Sequence, residues 1–169
     1  MKLSQFYGKK ILSTAGREGY IISVGANADR SLSFLCADLN EREFTVDMES
    51  VLRLGDYVIY EDSENAKRAT VPLRLGRACF DTSGKYLGNL EDFTVSRGKL
   101  KTAKIGKKNY PAEGLITGDV IIVRELRRLK SDVIKGGKTL FKKGTFVTDE
   151  VLDEAAAEGE YVQTTLKTI

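Results

Sequence analysis

The chain has 169 residues, 41% hydrophobic and 30% charged, with a net charge of +3, the balance of an ordinary globular protein able to bury a core. It contains no histidine, which excludes Ser-His and Cys-His dyads, an imidazole base and histidine-ligated metal. Its two cysteines, Cys36 and Cys79, are too few for a structural zinc site, and no apolar run approaches the ~20 residues that cross a bilayer.

Met1 to Phe6 lacks the apolar stretch and small-residue cleavage site of a secretory signal, so a cytoplasmic protein is expected. A segment beginning at Gly8 is then written a second time from Gly76. Gly8, Thr14, Gly16 and Arg17 recur as Gly76, Thr82, Gly84 and Lys85, each 68 residues further on. Each copy closes on Gly-Asp and an apolar run: Gly55-Asp56 before Tyr57 to Tyr60, and Gly118-Asp119 before Val120 to Val123. Such a repeat bears on the whole architecture.

Short apolar or alternating runs separated by turn residues predict strands through the first copy. The runs are Lys9 to Ser13, Tyr20 to Val24, Leu32 to Cys36, Phe44 to Val46 and Tyr57 to Tyr60, with room for a helical turn in Met48 to Leu54. Five or six such strands close most economically into a small barrel, which leaves no unpaired edge. Gly16 and Gly84 fall where a hairpin needs a positive φ. Asp56 and Asp119 fall where a short carboxylate can hydrogen-bond turn amides; metal ligation would need several more converging oxygens.

The joint from Asp62 to Arg68 is polar and glycine-free, suiting a short linker or a helical turn. Arg77 to Thr82, Leu90 to Val95, Leu100 to Ile105, Leu115-Ile116 and Val120 to Val123 then repeat the plan, with Arg97-Gly98 as a hairpin turn. Cys79 takes the place of Ile11 and reads as a small buried hydrophobe, a disulfide being rare in the cytosol. The copies differ by one residue where Gly19-Tyr20 stands against Leu87-Gly88.

Val133 to Phe141 reads as a hairpin punctuated by Gly136-Gly137. Thr148 is a helix N-cap, with Asp149 and Glu150 in the first turn. Val151, Leu152 and Ala155 supply an apolar face, and Gly159 fits the helix stop. Tyr161 to Leu166 reads as a last strand. This tail is too small to fold alone and is expected to pack on the second barrel.

Charge is unevenly shared. Asp29 to Glu64 holds ten acidic residues against Arg30, Arg42 and Arg53. Arg97, Lys99, Lys101, Lys104, Lys107 and Lys108 form a run without an acidic residue, continued by Arg124, Arg127 and Arg128 and by lysines to Lys143. These nine named residues are the candidate binding surface, since basic clusters attract phosphates and acidic surfaces. Tyr110 and Phe141 are the only aromatics nearby to stack bases, which favours a solvated lysine-rich face that blunts strand edges. Contact between the acidic copy and the basic copy, within one chain or between two, is a third reading.

The repeated pattern Gly-x-x-Ile/Cys-Leu/Phe-Ser/Asp-Thr-x-Gly-Arg/Lys, with Gly-Asp and an apolar strand later, resembles the PRC-barrel domain. That family is named for the H subunit of the photosynthetic reaction centre and includes the C-terminal domain of a ribosome-maturation protein. The likeness covers Leu3 to Tyr60 and Leu73 to Val123, a tandem pair. Ile134 to Leu152 is similar to a small module, G-x-x-L-x-x-K-G-T-x-I-T-x-E, appended to various bacterial proteins. The expected fold is mainly β: two tandem small β-barrels at 1–62 and 70–126, then a hairpin–helix module at 130–169. The resemblance implies docking onto other proteins, without catalysis and with no catalytic residues to carry over. An adaptor with a protein partner, needing no cofactor, is therefore the leading expectation. RNA or ribosome association through the basic stretch is the alternative, and self-association is a further expectation.

Overall fold

Buried and exposed residues alternate from Lys10 to Ser13 and from Glu18 to Ile22, Leu32 to Ala37 is buried along almost its whole length, and turns cut the first copy into short strands. The computed structural model describes residues 1–62 and 71–168; the joint from Ser63 to Arg68 lies outside the described residues. Strands β1 (Lys10–Ser13), β2 (Glu18–Ala26), β3 (Leu32–Asp38) and β4 (Glu43–Asp47) lead to a 3-10 turn (Met48–Ser50), then β5 (Val51–Leu54) and β6 (Val58–Tyr60). Their order is β4-β3-β2-β1-β6-β5, with the short β7 (Val71–Pro72) added on β2. The second copy runs β8 (Ala78–Asp81), β9 (Tyr86–Ser96), β10 (Lys99–Ile105), β11 (Lys108–Pro111), a 3-10 turn (Ala112–Gly114), β12 (Leu115–Thr117) and β13 (Ile121–Val123). Its order, β11-β10-β9-β8-β13-β12, is the first copy's order again. In each copy the first strand pairs in parallel with the last, Ile11 against Val58 and Cys79 against Ile121. The chain is mainly β, and no helix among the described residues is long and apolar enough to cross a membrane.

Register shows where the copies part. Ile11 faces Gly19 and Cys79 faces Gly88, but Phe80 next faces Tyr86, so Leu87 is an extra residue bulged out of β9. A Cβ on Gly19 would stand 2.5 Å from the Ala37 carbonyl oxygen, and one on Gly88 3.1 Å from the Gly106 amide nitrogen. Both glycines let the neighbouring strand pass close. β11 has no apolar pattern; Lys108 and Pro111 suit an edge strand held by pairing to β10.

Turn chemistry is shared as well. The Arg17 amide donates to Ser13 Oγ and the Lys85 amide to Asp81 Oδ1, both at 2.9 Å. Gly16 and Gly84 follow the turn at φ 88° and 85°. Asp56 and Asp119 do not bond the turn amides as expected. Both are exposed, and among the described residues neither carboxylate accepts a hydrogen bond; the Gly55 amide donates to the Tyr57 carbonyl instead.

The two sheets stay separate, yet apolar side chains of both form one continuous core. Leu3, in the 3-10 turn Leu3–Gln5, and Phe6, which caps that turn, are fully buried in it, and the Phe6 ring lies 5.3 Å from that of Phe34. Backbone bridges tie the copies together. The Val95 amide donates to the Met1 carbonyl (2.7 Å), the Leu32 amide to the Gly98 carbonyl (2.9 Å) and the Leu100 amide to the Arg30 carbonyl (3.0 Å). Arg97 and Gly98, at φ 50° and 73°, make the two-residue β9–β10 turn that fits the strand twist.

The tail holds β14 (Val133–Lys135), β15 (Lys138–Phe141), α1 (Asp149–Ala157) and α2 (Tyr161–Leu166). Leu129, Val133, Phe141 and Ala155 form a small core of its own. Thr148 caps α1, its Oγ1 accepting from the Val151 amide at 3.3 Å. Tyr161 to Leu166 is a helix, where a strand was expected from its β-favouring residues. Thr164, Thr165 and Thr168 turn their hydroxyls onto carbonyls four residues back, which accommodates threonine in a helix. Gln163 then clamps the Ile134 backbone with both ends of its amide, each bond 2.9 Å.

Two outcomes follow from this packing. Gly19→Ala should cost about 1–3 kcal/mol, because a backbone carbonyl cannot swing away. Gly55→Ala, where the nearest atom is 3.6 Å from the added Cβ, should stay within about 1 kcal/mol of the parent; urea denaturation compares the two. Cys36 and Cys79 are buried free thiols, and burial pushes Cys36 from 9.0 up to about 12. Both should resist thiol reagents at neutral pH and react once the chain is unfolded. Since an unfolded Cys36 ionises first, its contribution to stability is full below pH 9.0 and falls as pH rises toward about 12.

Candidate docking cleft

The nine basic residues divide between two regions. Arg97 sits in the β9–β10 turn, Lys99 bridges to Ser31, and Lys101 is the bulged residue of β10. Lys104 lies further along that strand, while Lys107 and Lys108 lie at the start of β11 and the turn before it. Lys101 is ion-paired with Glu150 of α1 at 2.5 Å, and Lys104 with Glu91 at 2.7 Å, so part of this charge is matched within the fold. Arg124, Arg127 and Arg128 are on the segment that leads from β13 into the tail; Arg128 bridges to Phe146, and its guanidinium lies 4.1 Å over that ring.

Between the second sheet and the tail lies a cleft of about 380 Å³. Leu87, Tyr110, Val123, Leu126 and Phe146 supply its apolar lining, with Arg124 and Arg128 beside them. Asp81 also lines it, but Ser83 and the Lys85 amide bond its carboxylate and hold its pKa below the usual range. A carboxylate tied up in this way is a poor proton acceptor. The site offers shape and apolar surface.

The first copy has the same depression in another state. Val46 pairs with Phe34 as Tyr110 pairs with Ala103, and Tyr60 pairs with Ser13 as Val123 pairs with Asp81. There the space is about 80 Å³. The Arg17 guanidinium covers the Phe44 ring at 4.1 Å, Phe44 stacks on Tyr60 at 6.0 Å, and Asp38 holds Arg17 at 3.9 Å. One copy fills its depression with its own side chains; the other leaves it open.

Two contacts hold the tail as the cleft's far wall. The Lys101–Glu150 pair is one. In the other, both carboxylate oxygens of Glu113 accept from the Asp149 amide, at 3.0 and 3.1 Å, placing negative charge where the α1 dipole favours it. Sequence reasoning passed over Leu126, Phe146 and Glu113. Leu87 did leave a trace, as the one-residue mismatch between copies.

The chain matches no protein-family model, and a search of curated proteins returns no match.

Glu113→Ala should loosen the tail. Loss of the cap is worth about 1 kcal/mol, so amides in the first turn of α1 should exchange about fivefold faster, with strand amides of the first copy unchanged.

Proposed function

We propose that this chain is a non-catalytic docking protein, a tandem pair of small PRC-barrel-like β-barrels whose second copy binds an apolar segment of a protein partner. The single observation that carries the reading is the open cleft, set against its filled counterpart in the first copy. A duplicated fold that seals a depression once with Arg17, Phe44 and Tyr60 has a ready means of sealing it twice. Leu87, Tyr110, Val123, Leu126 and Phe146 offer apolar burial, and the charged rim of Arg124, Glu125 and Arg128 offers orientation, the two things a binding site combines. Barrel closure is supported by connectivity. β4 and β5 end the first sheet's order and are joined by a three-residue 3-10 turn, as β11 and β12 are in the second. So short a link brings the end of one edge strand to the start of the other, as a curled six-stranded sheet requires.

The test is a photo-crosslinking residue at Leu87 in the full chain, with one at Glu18 as control, exposed to native lysate. A discrete protein adduct should form from Leu87 alone, and Leu126→Arg should reduce its yield about tenfold or more. Absence of a protein adduct, with RNA recovered instead and lost steeply as salt rises, would replace this reading by nucleic-acid binding.

A further inference from the structure

The outer face of the sheets differs between copies at matching positions. In the first copy a row crosses four strands: Glu18 faces Leu12, Leu12 faces Ile59, and Ile59 faces Arg53. In the second copy the same row is Tyr86, Phe80, Ile122 and Ile116. Charges at both ends of the first row have become a tyrosine and an isoleucine. Just below, Lys10 opposite Tyr20 is matched by Ala78 opposite Asn89, so a third charge is gone. Tyr86 is 54% exposed, Ile116 50% and nearby Val120 44%. In a chain with 30% charged residues, an aligned charge-free row of this kind marks a contact surface.

We infer that this face, centred on Phe80 and Ile122, is where two copies of the chain associate back to back. A face without charge selects a partner surface that is also flat and uncharged, and a two-fold operation supplies that surface from the same chain. The rim agrees. Lys85 stands in the β8–β9 turn and Asp119 in the β12–β13 turn, at diagonal corners of the four-strand patch. A two-fold axis along the other diagonal sets each Lys85 against the second copy's Asp119, with strands crossing near a right angle, a known mode of sheet packing. The row is smaller than the ~800 Å² per partner of a standard stable interface, so the association is weak and concentration-dependent. The inference does not rest on the cleft, which opens beyond the end of the row, beside Leu87.

Sedimentation equilibrium of the full chain from micromolar to millimolar concentration tests it. The mean mass should climb from one chain toward two, and persist at high salt because apolar burial is not screened. Tyr86→Glu with Ile116→Arg writes the first copy's own residues into the second, so the fold should survive, checked by an unchanged thermal melt. This double variant should stay at the mass of one chain. Asp119→Lys, in an exposed turn, should weaken association several-fold and covers the case in which the double variant misfolds. A parent chain that stays monomeric throughout overturns the inference. So does a dimer that the folded double variant or Asp119→Lys leaves unchanged, or one abolished by salt alone.

Discussion

Two parallel strands cannot be joined by a tight turn, because the chain must first return to its starting end. In each copy the first strand lies parallel against the last, so everything between them has to run outward and come back. That requirement sets the order of both sheets. It also divides the side chains of the pair, with Ile11, Val58, Cys79 and Ile121 no more than 2% exposed, and Leu12, Ile59, Phe80 and Ile122 on the opposite face. The core and the outer rows are two consequences of one pairing.

Duplication allowed the copies to keep this frame and vary what it carries. The first copy closes its depression with a cation stacked on an aromatic ring and ends its outer row in charges. The second leaves its depression open and ends its row in apolar groups. Exposed apolar side chains occur in both copies; what sets the second apart is that its apolar groups stand at positions where the first copy carries the charges of Glu18 and Arg53. The bulged Leu87 links the two kinds of change, since it lines the cleft and lies beside Tyr86. The bridges from Met1 and Arg30 to the second copy then hold the pair as one body around one core.

The parts legible in sequence were those whose cause is local. Ile11 and Ile21 announce strands because burial around them alternates with a period of two, and Thr148 announces α1 because a cap acts on an amide three residues away. The misreadings have physical causes. Lys108 to Pro111 lacks any apolar period and becomes a strand through pairing with β10. Tyr161 to Leu166 carries β-favouring residues, yet threonine hydroxyls and the Gln163 clamp hold it helical. In the basic run, Lys101 and Lys104 stand opposite Glu150 and Glu91, partners that composition along the run does not record.

From sequence alone came the duplication, the mainly β character, the glycine turns and the capped helix, since each depends on residues close together along the chain. The tertiary structure decided that both copies share one core, which depression stays open, and that Glu113 anchors α1 from 36 residues away. Contacts across such separations depend on strand register. A shift of one residue would turn every side chain of a strand to the other face, and no local pattern records which register is chosen.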